Sequence, residues 1–190
     1  NDDVIQDIEL LSSQVERCNQ ILKKLSLNPN EEDDFIDEDL SLKDYLKEIV
    51  SSFKETSNKD FILNFDQDSN SKKITKSIEI VYGLRNFIGN ANKFSLNKIF
   101  ISLKSNDEFT EISIEDDGEG YSSDILSKIG EPYLKTHKQN FKEKSGLGLG
   151  IFIGKTLLEK NFASVSCWNS QTRSGAEVII KWKNKDLFKI

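Results

Sequence analysis

Apolar residues recur with helical spacing along the first stretch of the chain. Val4, Ile8, Leu11, Val15, Cys18, Leu22 and Leu25 are separated by steps of four and three, a heptad seam that predicts one long bundle or coiled-coil helix over residues 2–27. Asn28-Pro29 ends it, because proline disfavours helical geometry in the residue before it. A second stripe, Leu42, Tyr45, Leu46, Ile49, Val50 and Phe53, predicts a helix over residues 41–55. A third, Ile74, Ile78, Val81, Leu84, Ile88 and Ala91, predicts one from about Ser71 to Asn92. Between and after these the period changes. "FILNF" (61–65), "KIFISLK" (98–104), "EISIED" (111–116), "SVSCWNS" (164–170) and "AEVIIKWK" (176–183) read as strands. The second and third are joined by the polar turn Ser105-Asn106-Asp107, and the last two through "QTRSG". Hairpin strands with helices between them predict an α+β fold, helices on one face of a mixed sheet.

Charge divides the chain unevenly. Residues 1–40 hold 12 acidic and three basic residues, a net −9, while the remainder, with 20 acidic and 23 basic residues, carries +3. "NEEDDFIDEDL" reads as a solvated acidic linker, and the slightly basic body suits an anionic ligand. No basic cluster interleaves with aromatics, which argues against nucleic acid as a partner. No apolar run reaches the roughly 18–20 residues that span a bilayer, so no membrane contact is expected of this stretch. The chain lacks methionine altogether, its first position included, and is expected to be a piece of something longer. Two cysteines far apart and one histidine, His137, leave no zinc motif, disulfide framework or Ser–His–Asp chemistry.

"KSGLGLGIFIGKTLLEK" (144–160) holds two phosphate-binding patterns. Gly150 through Thr156 resembles a P-loop, but that loop needs four residues before Gly-Lys-Thr and a strand ahead of it. Here three bulky residues, Ile151, Phe152 and Ile153, intervene. Lys155 and Thr156 are therefore expected inside a helix with Ile151, Leu157 and Leu158 on its apolar side. Gly146, Gly148 and Gly150 do better, since glycines at a helix start free backbone amides to meet phosphate. Three further segments accompany them. In "DDGEG" (116–120), Asp116 ends a strand and Gly118 and Gly120 let the backbone approach a flat ligand. In "NFIGNANKF" (86–94), Asn86, Asn90 and Lys93 share one helix face, giving amide oxygens for a metal and an ammonium for phosphate. "SGA" (174–176) sets a glycine before the last strand.

The order "NFIGNANKF", "DDGEG", "EPYLKT", "SGLGLG", "SGA" resembles the N, G1, F, G2 and G3 boxes of the GHKL ATPase family, and more narrowly the catalytic domain of bacterial sensor histidine kinases. The resemblance covers about residues 40–185. "SQVERCNQIL" and "GLGLGIFIGKTLLEK" are most similar to the redox-responsive RegB/PrrB group. It implies a two-layer α/β sandwich of the Bergerat type over 41–190, joined by the linker 29–40 to residues 1–28, the second helix of a dimerisation hairpin.

The family pattern further implies ATP and Mg²⁺ as ligands. Asp116 would accept from the adenine amino group, with Gly118 and Gly120 walling the base, and Gly175 of the last box would join the nucleotide-binding set. Asn90 would hold Mg²⁺, with Asn86 one turn earlier; Lys93 would reach the phosphates and Phe94 would pack beside the nucleotide. Tyr133 stands at the aromatic of the F box, residues 134–145 at a lid, and Gly146, Leu147, Gly148 and Leu149 at the phosphates. Implied partners are a response regulator receiver domain and the chain's own dimerisation helix, in the cytoplasmic part of a membrane-anchored sensor.

Three positions depart from the pattern. Lys144 replaces a glycine of the G2 box, and Tyr121 replaces an aliphatic residue after G1. Asn86 stands where hydrolysing relatives carry a glutamate, and an amide cannot act as a base, which favours transfer to a side chain. The acceptor histidine of the first hairpin helix is missing, and His137 lies in the lid, so the chain is not expected to phosphorylate itself. Rival readings are a hydrolysing GHKL ATPase and a non-catalytic nucleotide-binding module. Cys18 has two readings, a small hydrophobe of the seam and, through the resemblance, a redox switch; Cys167, on an alternating strand, reads as structural.

Overall fold

The computed structural model describes residues 41–66, 77–129 and 149–187. The chain divides into two units, 1–36 and 37–190, and every described residue belongs to the second. The expected helix over 2–27, the linker, Cys18, Tyr133, His137, Lys144 and the lid lie outside the described residues.

Helix α1 (Leu42–Lys54) starts at a reciprocal capping box. The Ser41 hydroxyl accepts from Asp44 N at 3.3 Å, and the Asp44 carboxylate accepts from Ser41 N at 3.3 Å, satisfying donors that every helix start leaves open. Strand β1 (Asp60–Phe65) follows, then α2 (Ile78–Phe94), which begins later than the apolar stripe predicts. Ser77 is in extended geometry and caps Ile80 N at 3.3 Å, so a local hydroxyl sets the boundary where periodicity alone does not.

Strands β2 (Lys98–Ser105) and β3 (Phe109–Asp116) form the first hairpin. Its turn is held by Asn106, whose Oδ1 accepts from Glu108 N at 2.9 Å and Phe109 N at 2.7 Å. Short α3 (Ser123–Leu126) precedes α4 (Gly150–Lys160), and β4 (Ser164–Asn169) and β5 (Ala176–Lys183) make the second hairpin before the single turn α5 (Asn184–Leu187).

The sheet order is β1-β2-β3-β5-β4; β1 pairs parallel with β2, and the remaining pairs are antiparallel. Alternate residues of each strand turn to the helices. Ile99, Ile101 and Leu103 of β2, Ile112 and Ile114 of β3, and Val178, Ile180 and Trp182 of β5 are buried there, against Leu46 and Ile49 of α1 and Ile80, Leu84, Phe87 and Ile88 of α2. The opposite face carries Ser102, Lys104, Glu111, Ser113, Glu115 and Lys181, the alternation of a sheet covered on one side. This is the expected α+β two-layer sandwich.

Helices α2 and α4 approach through glycines. A Cβ on Gly83 would stand 2.6 Å from Leu158 Cγ, and one on Gly154 2.9 Å from Phe87 Cε2. Gly154 therefore serves helix packing, and Lys155 beside it pairs with Glu159 one turn on, at 3.8 Å. Both lie inside α4, as the rejection of the P-loop requires.

Candidate functional site

Along β3 the helix-facing row runs Thr110, Ile112, Ile114, Asp116. The last position thus puts a carboxylate at the end of the core, 4% exposed. Burying a carboxylate is costly unless hydrogen bonds compensate. Two do: Oδ1 accepts from Gly118 N at 2.8 Å and from Ala176 N at 3.3 Å. Among the described residues no hydrogen bond ends on Oδ2. Burial pushes the carboxyl above its ordinary range, the Gly118 and Ala176 amides pulling the other way.

Glycine is required on both sides. A Cβ on Gly175 would stand 2.0 Å from Asp116 O, and one on Gly118 2.3 Å from Phe94 O. Gly120 has φ +74°, a left-handed geometry that side chains resist. Asp116, Gly118, Gly120, Gly175 and the backbone of Phe94 are therefore brought together at this end of the sheet.

The other predicted residues lie along α2. A Cβ on Gly150 would be 3.3 Å from both amide atoms of Asn90 and 3.7 Å from Asn86 Oδ1, so both amides face the start of α4. Asn86 Nδ2 donates to Tyr82 O at 2.8 Å, which leaves its oxygen toward Gly150. The half-buried Asn90 amide has no hydrogen bond among the described residues. Lys93 is exposed, its ammonium 5.0 Å from the centroid of the Phe94 ring, and Phe94 is itself 55% exposed. Leu149 caps α4 without a side-chain hydrogen bond, and no acidic residue occupies the first turn. Among the described residues no side chain therefore offsets the positive end of this helix, where backbone donors suit an anion. Tyr133, Gly146, Leu147 and Gly148 lie outside the described residues.

Four supporting residues have no role in the sequence reading. Asp117 accepts from Leu96 N at 2.8 Å and Asn97 N at 3.0 Å, tying the glycine turn to the segment after α2. Lys59 donates to Asn92 O at 2.6 Å and also to Ser95 O, and Ser57 donates to Asn92 Oδ1 at 2.7 Å. Together they fix the end of α2 that carries Lys93 and Phe94, a cation at the negative helix end. Asn169, closing β4, binds the backbone of Tyr121 at both its N–H and its carbonyl. Asp117 stands inside a recognised motif and could have been suspected; Lys59 and Asn169 act across the fold, and no local pattern marks them.

Tyr121, after the glycine turn, is close enough to Asp116 to feel it. Burial first, then Cys167 and Asp116, push its phenol above the ordinary value. Burial likewise pushes the Cys167 thiol up to about 11, with Lys155 opposing.

Residues 75–186 match the family described as histidine kinase-, DNA gyrase B- and HSP90-like ATPase. The sensor histidine kinase RegB of Cereibacter sphaeroides is 31% identical over 172 residues, which are 86% of this chain and 37% of the relative. The chain thus spans little more than a third of the length of such relatives. Among solved structures, the mycobacterial sensor histidine kinase MprB superposes with a TM-score of 0.62 at 16% identity, covering 78% of this chain and 97% of that one. Full-length ShkA in complex with AMPPNP gives 0.59 at 20% identity, covering 76% of this chain and 30% of that one. With the buried carboxylate, its glycine wall and the sheet they stand on, these matches place the chain in the histidine kinase-, DNA gyrase B- and HSP90-like ATPase family.

Proposed function

We propose that this chain is the ATP-binding catalytic domain of a two-component sensor histidine kinase. The observation that carries the reading is Asp116: one carboxylate oxygen is held by two backbone amides and the other is left for a donor, beside glycines that keep the space flat. An adenine amino group is such a donor. RegB supports the kinase assignment by sequence, and AMPPNP, an adenine nucleotide, is bound by ShkA.

In this reading Asp116 accepts from adenine, Gly118, Gly120 and Gly175 admit the ring, and Phe94 packs beside it. Lys93 and the amides from Gly146 through Leu149 meet the phosphates, and Tyr133 lines the site. Asn90 fits Mg²⁺, because its amide is uncommitted among the described residues and Mg²⁺ usually takes one or two protein oxygens, keeping waters and phosphate oxygens for the rest. The ion would neutralise phosphate charge. The chain's own part is positioning. The γ-phosphorus loses its bond to the β-phosphate bridging oxygen and gains one to a histidine nitrogen, ADP leaving. That histidine belongs to the first hairpin helix, and a response regulator receiver domain takes the phosphoryl group next. Asn86 holds no proton-accepting carboxylate near a water, so transfer is favoured over hydrolysis. The domain works on the cytoplasmic side of a membrane-anchored, dimeric sensor.

Asp116→Asn places a donor where the adenine amino group needs an acceptor. A hydrogen bond to a charged group is worth about 1.5–3 kcal/mol, so ATP should bind roughly 10- to 150-fold more weakly by calorimetry with Mg²⁺ present. Parent-like affinity in the variant would show that the base lies elsewhere.

A further inference from the structure

The turn that walls the base, residues 117–121, has little regular structure of its own and is held at both ends by side chains. Asp117 fixes its start to Leu96 and Asn97. At its end stands Asn169, the last residue of β4, paired in register with Ala176, whose N–H donates to Asp116. The Asn169 side chain is exposed, yet both halves of its amide are used: Oδ1 accepts from Tyr121 N at 2.6 Å, and Nδ2 donates to Tyr121 O at 2.9 Å. That is the donor and acceptor pairing of one rung of an antiparallel ladder, supplied to a loop by a side chain. The amide also presses on the preceding residue. A Cβ on Gly120 would stand 2.6 Å from Asn169 Oδ1, so a side chain there would force the two apart. In the middle of the turn, Gly118 N orients the Asp116 carboxylate.

We propose that Asn169 is a positioning residue for base selection: it latches the Gly118–Tyr121 turn so that Asp116 presents its free oxygen to the exocyclic amino group of adenine. The proposal rests on the nucleotide reading above. Without the latch the turn keeps Asp117 at its start and the Tyr121 phenol against Cys167, but the Tyr121 backbone loses both of its partners, and the Gly118 amide is held less firmly on Asp116. The loss should fall on the contact that distinguishes adenine, more than on the phosphate contacts at the start of α4.

The test compares ATP with inosine triphosphate, which lacks the amino group, using calorimetry on the 190-residue chain with Mg²⁺. Asn169→Ala should bind ATP about three- to tenfold more weakly, the worth of one ordinary hydrogen bond, and inosine triphosphate should change by less than about twofold. The preference for ATP therefore shrinks while circular dichroism and the thermal midpoint stay near the parent's. Asn169→Asp keeps the acceptor for Tyr121 N–H but sets a carboxylate against Tyr121 O, and should lose the preference too. Parallel weakening of both nucleotides, or an unchanged preference in either variant, overturns the latch while leaving the nucleotide reading intact. A parent chain that binds neither nucleotide overturns both.

Discussion

Burial and hydrogen bonding pull the Asp116 carboxyl in opposite directions, and burial wins, leaving it above the 3.8 of an unfolded carboxyl. The folded chain therefore keeps this proton to higher pH than the unfolded chain does. Stability contributed by the protonated group is fully present below pH 3.8 and is lost as pH rises through the raised folded value. ATP binding runs the other way, because only the ionised group is a pure acceptor, so affinity should rise through the same window. Denaturation of the ligand-free parent and Asp116→Asn across mildly acidic pH should show a stability difference that grows in the variant's favour as pH increases. ATP titrations should show a pH dependence in the parent that the variant lacks. A stability difference that moves the opposite way would mean that the two amides outweigh burial and that the fold favours the ionised Asp116. At this scale the sequence was informative where chemistry is local. Asp116, Gly118, Gly120 and Gly175 come together because each sits near a strand end that alternation locates. Asn169 and Lys59 were not legible, since their partners lie 48 residues away at Tyr121 and 33 away at Asn92.

Secondary structure was legible to within a residue or two for α1 and the strands, but the start of α2 lies seven residues past the one its apolar stripe predicts. The strand read from "AEVIIKWK" coincides with β5, and β2 and β3 differ from their predicted limits only at the ends. The four-residue helices α3 and α5 were not seen, because one turn contains no period. Strand order was beyond local patterns as well: β5 lies between β3 and β4, a pairing made by tertiary packing. The contact of α2 with α4 turns on Gly83 and Gly154, and it also sets Asn86 and Asn90 against Gly150. Alanine is the better helix former by about 1 kcal/mol, but at Gly154 its methyl carbon would meet the Phe87 ring at 2.9 Å and Gly83 O at 3.2 Å. Backbone cannot yield as a side-chain tip can, and overpacking costs about 1–3 kcal/mol. Gly154→Ala should therefore be destabilised in urea titrations, by up to about 2 kcal/mol. A stabilised variant would mean that helix propensity outweighs the crossing and that the two helices can part.

At the scale of the whole molecule the two cysteines offer a contrast. Cys167 is a free thiol on β4, half-buried, and burial holds it up at about 11, so at neutral pH the reactive thiolate is scarce. Cys18 occupies the heptad seam of the predicted first helix, where Gln14, Val15, Ile21 and Leu22 are its helical neighbours and none is a cation. In a parallel dimer a seam position faces its own copy, and two thiols can join when their Cα atoms come within about 7 Å. The redox reading of Cys18, carried by the likeness to the RegB group, therefore predicts a disulfide-linked dimer through Cys18 under mild oxidation, forming slowly at neutral pH and faster in alkali as thiolate accumulates. Cys167 should add little below about pH 9, well under its raised pKa of about 11. Non-reducing electrophoresis of the parent, Cys18→Ala and Cys167→Ala chains decides between them. Loss of the dimer band in Cys18→Ala alone is the expected result. A band that survives there and vanishes in Cys167→Ala would make Cys18 a packing residue, and would require β4 to open far enough to expose a thiol that the folded domain keeps protonated.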